Sequence, residues 1–143
     1  MQLVHMSFKP KDVPQLSPYM TVKDADKSIE FYEKAFGFKV TEAVKGDNGK
    51  TQHVSMKMDE VLIMFCPEGA YGTTKKSPKN LGVQMPINVY IYCHDVDKLY
   101  KQATDNGAES IVAPNDSFWG DRFCSVLDPD GYEWLFATML KPL

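Results

Sequence analysis

What this chain lacks narrows its class before any motif is considered. Its apolar runs are short, such as Val61-Leu-Ile-Met-Phe-Cys66, in a chain of 143 residues. A membrane-crossing helix needs about 18 or more apolar residues in succession, so no membrane partner is expected. There is no basic excess either: 16 Lys and Arg against 19 Asp and Glu leave a net charge of −3. Nucleic acid needs a basic surface, so it too is not expected as a partner. Cysteine is scarce and widely spaced, at Cys66, Cys93 and Cys124, with no C-x-x-C pair. That gives no support to a disulfide framework or a structural zinc site, and suggests reduced thiols in a cytoplasmic protein. The first ten residues lack the basic stretch, apolar run and small-residue cleavage site of a secretion signal, which also favours the cytoplasm. Gly69 to Gly72 does not continue into the Gly-Lys-Ser/Thr ending of a phosphate loop, and no G-x-S-x-G elbow is present.

What remains is ordinary globular material: 43% hydrophobic and 24% charged residues, with aromatics at 12% and eight Met. Such residues fill a core and can also line a pocket. Residues 1–15 are polar and Pro-interrupted and read as an arm before a single domain over 16–143. Tyr19–Lys23 reads as a strand. A helix over Asp26–Phe36 follows, with Ile29, Tyr32, Ala35 and Phe36 at helical spacing and Gly37 as its stop. Strands are expected at 38–42, 52–58 and 61–66. Pro67–Pro86 is a long Gly-, Pro-, Ser- and Lys-rich connection, read as a joint or a flap. The pattern then restarts: strand 88–93, a helix over 96–103 opened by Asp95 and ended by Gly107, and strands at 110–113, 122–127 and 133–138.

The restart is a repeat. Asp24-Ala-Asp-Lys27 and Asp95-Val-Asp-Lys98 match at an offset of 71, as do Asp59 with Asp130 and Phe65 with Phe136. The fold class is therefore α+β, with module one at 16–66, a linker at 67–86 and module two at 87–143. Each module is a βαβββ unit, and the two sheets are expected to enclose a shared cavity.

The residues that carry the repeat also carry a resemblance. Val22-Lys-Asp-Ala-Asp-Lys-Ser-Ile-Glu-Phe-Tyr-Glu-Lys-Ala-Phe-Gly37, His94-Asp-Val-Asp97 and Leu127-Asp-Pro-Asp-Gly-Tyr132 resemble the vicinal oxygen chelate superfamily: glyoxalases, bleomycin-resistance proteins and extradiol dioxygenases. Phe118-Trp-Gly-Asp-Arg122 and Ser77-Pro-Lys-Asn-Leu-Gly82 resemble its PhnB-like subgroup in particular. The resemblance implies paired βαβββ modules and a homodimer. In metalloenzymes of this kind, His, Glu or Gln on the first and last strands of each module hold a divalent metal. The matching positions here are Ser17, Met64, Asn88 and Leu135. Leu cannot ligate, Met favours soft ions, and Ser and Asn are weak neutral ligands, so neither a metal nor any other cofactor is expected.

Strand alternation from those positions gives a candidate lining. Tyr19, Asn88, Tyr90, Tyr92, Trp119, Arg122 and Cys124 are candidate ligand contacts, and His53 and Glu133 are candidate acid–base groups. Each has a plainer alternative. His53 could be bonded within its sheet, Arg122 could form a structural ion pair, Tyr90 and Tyr92 could fill a dimer or core seam, and Glu133 could be solvated. Three functions remain open. One is a metal-free protein binding a small polar-aromatic or anionic metabolite. The second is a lyase or isomerase using His53 or Glu133 as base and Arg122 as clamp. The third is a protein that sequesters an antibiotic or toxin without chemistry.

Overall fold

The structure, a computed structural model, describes residues 7–141. The arm reading therefore falls partly outside the described residues; residues 7–15 carry no strand or helix. Each module runs strand, helix, then three strands. The first contains β1 (Tyr19–Val22), α1 (Ala25–Phe31), β2 (Lys39–Lys45), β3 (Thr51–Met58) and β4 (Val61–Pro67). The second contains β5 (Val89–Tyr92), α3 (Val96–Asp105), β6 (Glu109–Asp116), β7 (Asp121–Leu127) and β8 (Glu133–Met139). Between them lies a short helix, α2 (Pro78–Leu81). The sheet orders are β1-β4-β3-β2 and β5-β8-β7-β6, the same topology twice. In each, the first strand pairs in parallel with the last, and the remaining pairs are antiparallel.

The repeated Asp-x-Asp-Lys motif has a local cause. Asp24 and Asp95 sit in extended backbone and accept hydrogen bonds from the amides of Lys27 and Lys98 at 3.0 and 3.1 Å. Each caps amide groups that a helix start otherwise leaves unpaired. The first helix departs from regular form at its end: Tyr32–Phe36 is a π-helical turn, closed by Gly37 at φ +89°. That turn buries Tyr32, Ala35 and Phe36 together.

Those side chains join the modules. The Tyr32 ring lies 5.6 Å from Phe65 of the first sheet and 5.3 Å from Trp134 of the second, and Phe36 lies 4.9 Å from Phe136. The apolar faces anticipated from alternation, including Val22, Ile63, Phe65, Ile91, Trp134 and Phe136, are buried in this one core. Its helical layer, not a cavity, connects the modules. The expectation of an enclosed cavity between polar faces is corrected for the protomer: those faces are open, with Tyr19, Tyr90 and Tyr92 all exposed.

Three further hydrogen bonds fix the joint. Asp130 accepts from the amide of Lys23 at 2.8 Å and from Ser28 Oγ at 3.3 Å, and Tyr132 donates to the Thr21 carbonyl at 2.8 Å. The linker is also held. Ser77 is fully buried, its amide donates to Glu68 at 2.9 Å, and the Lys79 amide donates to the Asp130 carbonyl at 2.9 Å. It is a docked joint that then passes beside the second sheet.

Candidate functional site

The open face of the second sheet collects most of the candidates. Asn88, Tyr90 and Tyr92 alternate along the β5 segment, and Glu133, Leu135 and Ala137 alternate along β8. Strand pairing sets Tyr90, Leu135 and Ser125 in one row across the sheet, and Tyr92, Ala137 and Phe123 in another. At one end of this face, Asp121 accepts the hydroxyls of Tyr90 and Tyr92 at 2.6 and 2.8 Å. Trp119 Nε1 donates to the Tyr90 oxygen at 3.1 Å, and the Trp119 ring leans on Phe123 with centroids 5.1 Å apart. The hydrogen bond from Tyr90, joined by that from Tyr92, holds the Asp121 carboxyl below its ordinary range. Burial and Asp121 together raise the Tyr90 hydroxyl, and the Asp121 bond raises that of Tyr92. Asp121 is only 3% exposed, whereas Tyr90, Tyr92 and Trp119 are 40%, 61% and 49% exposed. Their polar atoms are thus engaged with one another, while the parts of their rings not packed on each other or on Phe123 meet solvent.

At the other end, Glu133 Oε2 accepts from Ser125 Oγ at 2.8 Å and from Asn88 Nδ2 at 3.4 Å. Glu133 lies in a cleft of about 580 Å³. The linker forms one wall through Val83 and Met85, and Glu109, Ile111 and Leu127 form the opposite one.

His53 and Tyr19 sit on the other sheet. Tyr19 Oη lies 2.9 Å from His53 Nδ1, and His53 Nε2 lies 3.2 Å from Ser55 Oγ. Burial, with Cys66 close by, pushes the Tyr19 hydroxyl up to about 12. Within one protomer, the two acid–base candidates are on separate sheets and have separate hydrogen-bond partners.

Two residues lie elsewhere than expected. Arg122 and Cys124 were placed on the open face as repeat mates of the His53 strand. Instead, Cys124 is fully buried in the apolar core, and burial pushes its thiol up to about 11. Arg122 lies on the helix side of the sheet, where Nε and a terminal nitrogen hold Asp97 of α3 at 2.8 and 3.0 Å. Its other terminal nitrogen holds Asp116 at 3.1 Å. The cause is a change of offset. Phe65 pairs with Val54, and Phe136 pairs with Cys124, so β3 and β7 match at 70 rather than 71. Four residues, 58–61, separate the paired Lys57 and Leu62, and five, 128–132, separate the paired Leu127 and Glu133. The extra residue in the second turn slides β7 by one, and a one-residue slip moves every side chain to the other face. The same slip brings in residues that the sequence reading missed: Asp121, Phe123 and Ser125. Matching Val54-Ser-Met56 to Cys124-Ser-Val126 at offset 70 would have found them.

A family profile for the Glyoxalase/Bleomycin resistance protein/Dioxygenase superfamily matches residues 5–136. The chain belongs to this superfamily. An uncharacterised protein of Mycobacterium bovis is 33% identical over 130 residues, which are 90% of this chain and 85% of that protein. Among solved structures, TioX from Micromonospora sp. ML1 has a TM-score of 0.70 at 22% identity, covering 89% of this chain and 100% of that one. A superfamily enzyme from Burkholderia phytofirmans PsJN has a TM-score of 0.68 at 20% identity, covering 87% and 98%. These likenesses confirm the fold of paired βαβββ modules.

The superfamily implies a metal, and the residues at the matching positions do not fit one. Leu135 offers hydrocarbon, and the Asn88 amide nitrogen is turned toward Glu133. Ser17 Oγ is buried without a hydrogen-bond partner among the described residues, but a neutral hydroxyl and the Met64 thioether are poor company for a hard or borderline divalent ion. Among the described residues, no group of three or more His, Cys, Asp or Glu is placed to hold a metal ion, and no helix is long and apolar enough to cross a membrane.

Proposed function

We propose that this superfamily member binds a small polar-aromatic molecule on the open face of the second sheet, without the metal of its relatives. The observation that carries the reading is the state of Tyr90, Tyr92 and Trp119: their polar atoms are spent on Asp121 and on one another, while their rings, packed edge to face with one another or on Phe123, keep about half of their surface exposed. Exposed aromatic faces held rigid from behind suit stacking on a planar ligand, since little side-chain freedom is lost on binding. The cleft at Glu133, toward the other end of the same face, supplies a further polar group. An anionic ligand loses its motive, because Arg122 is committed to Asp97 and Asp116 on the opposite side.

The site belongs to a homodimer in this reading. A second copy would shelter exposed apolar side chains such as Leu16, Ile87 and Met139, together with the open sheet faces. The separation of His53 and Glu133 onto two sheets of the protomer favours sequestration over chemistry in this reading. Light scattering on a sizing column tests the dimer, and a single-chain mass overturns it. A thermal-shift screen of small aromatic amines, phenols and acids tests binding. Compounds that stabilise the protein should lose their effect in Tyr92→Leu and Trp119→Ala. If no aromatic compound raises the melting temperature, the reading fails.

A further inference from the structure

We infer that the open face of the second sheet selects an organic cation: an amine or quaternary ammonium group carried on an aromatic or apolar body. The inference rests on the binding reading above and assigns its ligand class. It begins with an absence in the sequence that gains meaning only from the fold. Across β5, β6, β7 and β8 there is one basic residue, Arg122. Its guanidinium lies on the helix side, held by two carboxylates. The strands therefore present no positive charge to the open face.

Negative charge is present at both ends of it. At one end, the ionised Asp121 sits beneath the two tyrosine hydroxyls. Rings whose hydroxyls donate to a carboxylate present electron-rich faces, and aromatic faces attract cations through their quadrupole. At the other end, Glu133 is held through one carboxylate oxygen by Ser125 and Asn88, and its second oxygen has no donor among the described residues. That carboxylate opens into the 580 Å³ cleft, whose walls include Val83, Met85, Ile111 and Leu127. Glu109 adds a second carboxylate on the far wall, and the single lysine, Lys79, stands exposed on the linker helix. A cation with an apolar body matches the cleft's combination of an oriented carboxylate and hydrocarbon walls. An anion would meet Glu133, Glu109 and Asp121 with no fixed positive partner from the sheet.

Three probes of one shape test this on the intact protein: phenethylamine, protonated at neutral pH; 2-phenylethanol, neutral; and phenylacetate, anionic. Binding is followed by calorimetry and by quenching of the exposed Trp119. The amine should bind about tenfold or more tighter than the alcohol, the acid should bind most weakly, and added salt should weaken the amine alone. Glu133→Gln, checked for an unchanged melting curve, should remove most of the amine's advantage over the alcohol. If the alcohol or the acid binds as tightly as the amine, the cation preference is overturned and aromatic binding at this face stands. If none of the three binds, both fall. The probe comparison is made on the unmodified chain, so the inference stays open to refutation even if Glu133→Gln fails to fold.

Discussion

The Tyr32 hydroxyl donates to Asp128 Oδ2 at 2.5 Å, linking the helix of the first module to the turn of the second inside the core. Trp134 Nε1 donates to the same oxygen at 2.9 Å, and the amides of Asp130 and Tyr132 serve Oδ1 at 2.9 and 3.0 Å. Burial nevertheless outweighs these four donors and pushes the Asp128 carboxyl up to about 6. An unfolded aspartate titrates near 3.9. Between these values the folded chain holds a proton that the unfolded chain has released, so stability falls as pH rises through that window. The loss is complete above the folded value and amounts to about 3 kcal/mol. Denaturant midpoints should therefore be higher at about pH 5 than at about pH 8. A flat profile across this range would mean that Asp128 titrates normally.

Tyr32→Phe removes one of those donors without opening a cavity at the ring. A hydrogen bond to a charged group contributes about 1.5–3 kcal/mol, and that much stability should be lost where Asp128 is ionised. Less should be lost near pH 5, because the protonated acid depends less on the donor. Equal losses at both pH values would assign Tyr32 a packing role only.

Arg122 offers a test that separates structure from binding. Arg122→Ala should lower the melting temperature slightly, and by less at high salt, since its pairs with Asp97 and Asp116 are partly exposed. Affinity for any ligand of the open face should be unchanged. A large loss of affinity with an unchanged melting temperature would return Arg122 to the site.

How far the sequence could be read divides along the same strand. The paired modules, the helix cap at Asp95 and the buried faces of β1, β4, β5 and β8 were legible, because Asp24 and Asp95, or Phe65 and Phe136, stand at a constant offset. The site was half legible. Tyr90, Tyr92, Asn88 and Glu133 fall on the face that alternation assigns them, because their strands keep the 71-residue offset. Arg122 and Cys124 do not, because one extra residue in the turn at 128–132 changes the register of β7. That the helical layer would join the modules, leaving both polar faces open, depends on tertiary contacts of Tyr32 and Phe36 that no local pattern encodes.

Asp121 was invisible for that reason, and its role can be tested by titration. Tyr90 and Tyr92 both ionise above the usual tyrosine range, with Asp121 a cause in each case. In Asp121→Asn the negative charge is gone, so two tyrosines should ionise at lower pH than in the parent protein. Absorbance at about 295 nm reports tyrosinate directly, and the difference between the two titrations should correspond to two groups. Superimposable curves would show that Asp121 does not govern these hydroxyls.

Gly131 decides whether the linker wall of the cleft is fixed. Its backbone lies at φ +94°, a region that side-chain-bearing residues seldom adopt. A Cβ at this position would also stand 3.0 Å from the Lys79 amide nitrogen and 3.2 Å from Pro78 Cβ. That amide donates to the Asp130 carbonyl, the contact that docks α2 on the turn. Gly131→Ala therefore combines backbone strain with displacement of the linker, and should cost about 1–2 kcal/mol. Loosening should be greatest in the segment from Gly82 to Ile87, which is exposed except at Met85 and runs beside the Glu133 cleft. Limited proteolysis should then cut within that segment faster than in the parent protein, and amine binding should weaken in step. Unchanged cleavage together with unchanged affinity would mean that the linker does not depend on this turn for its position.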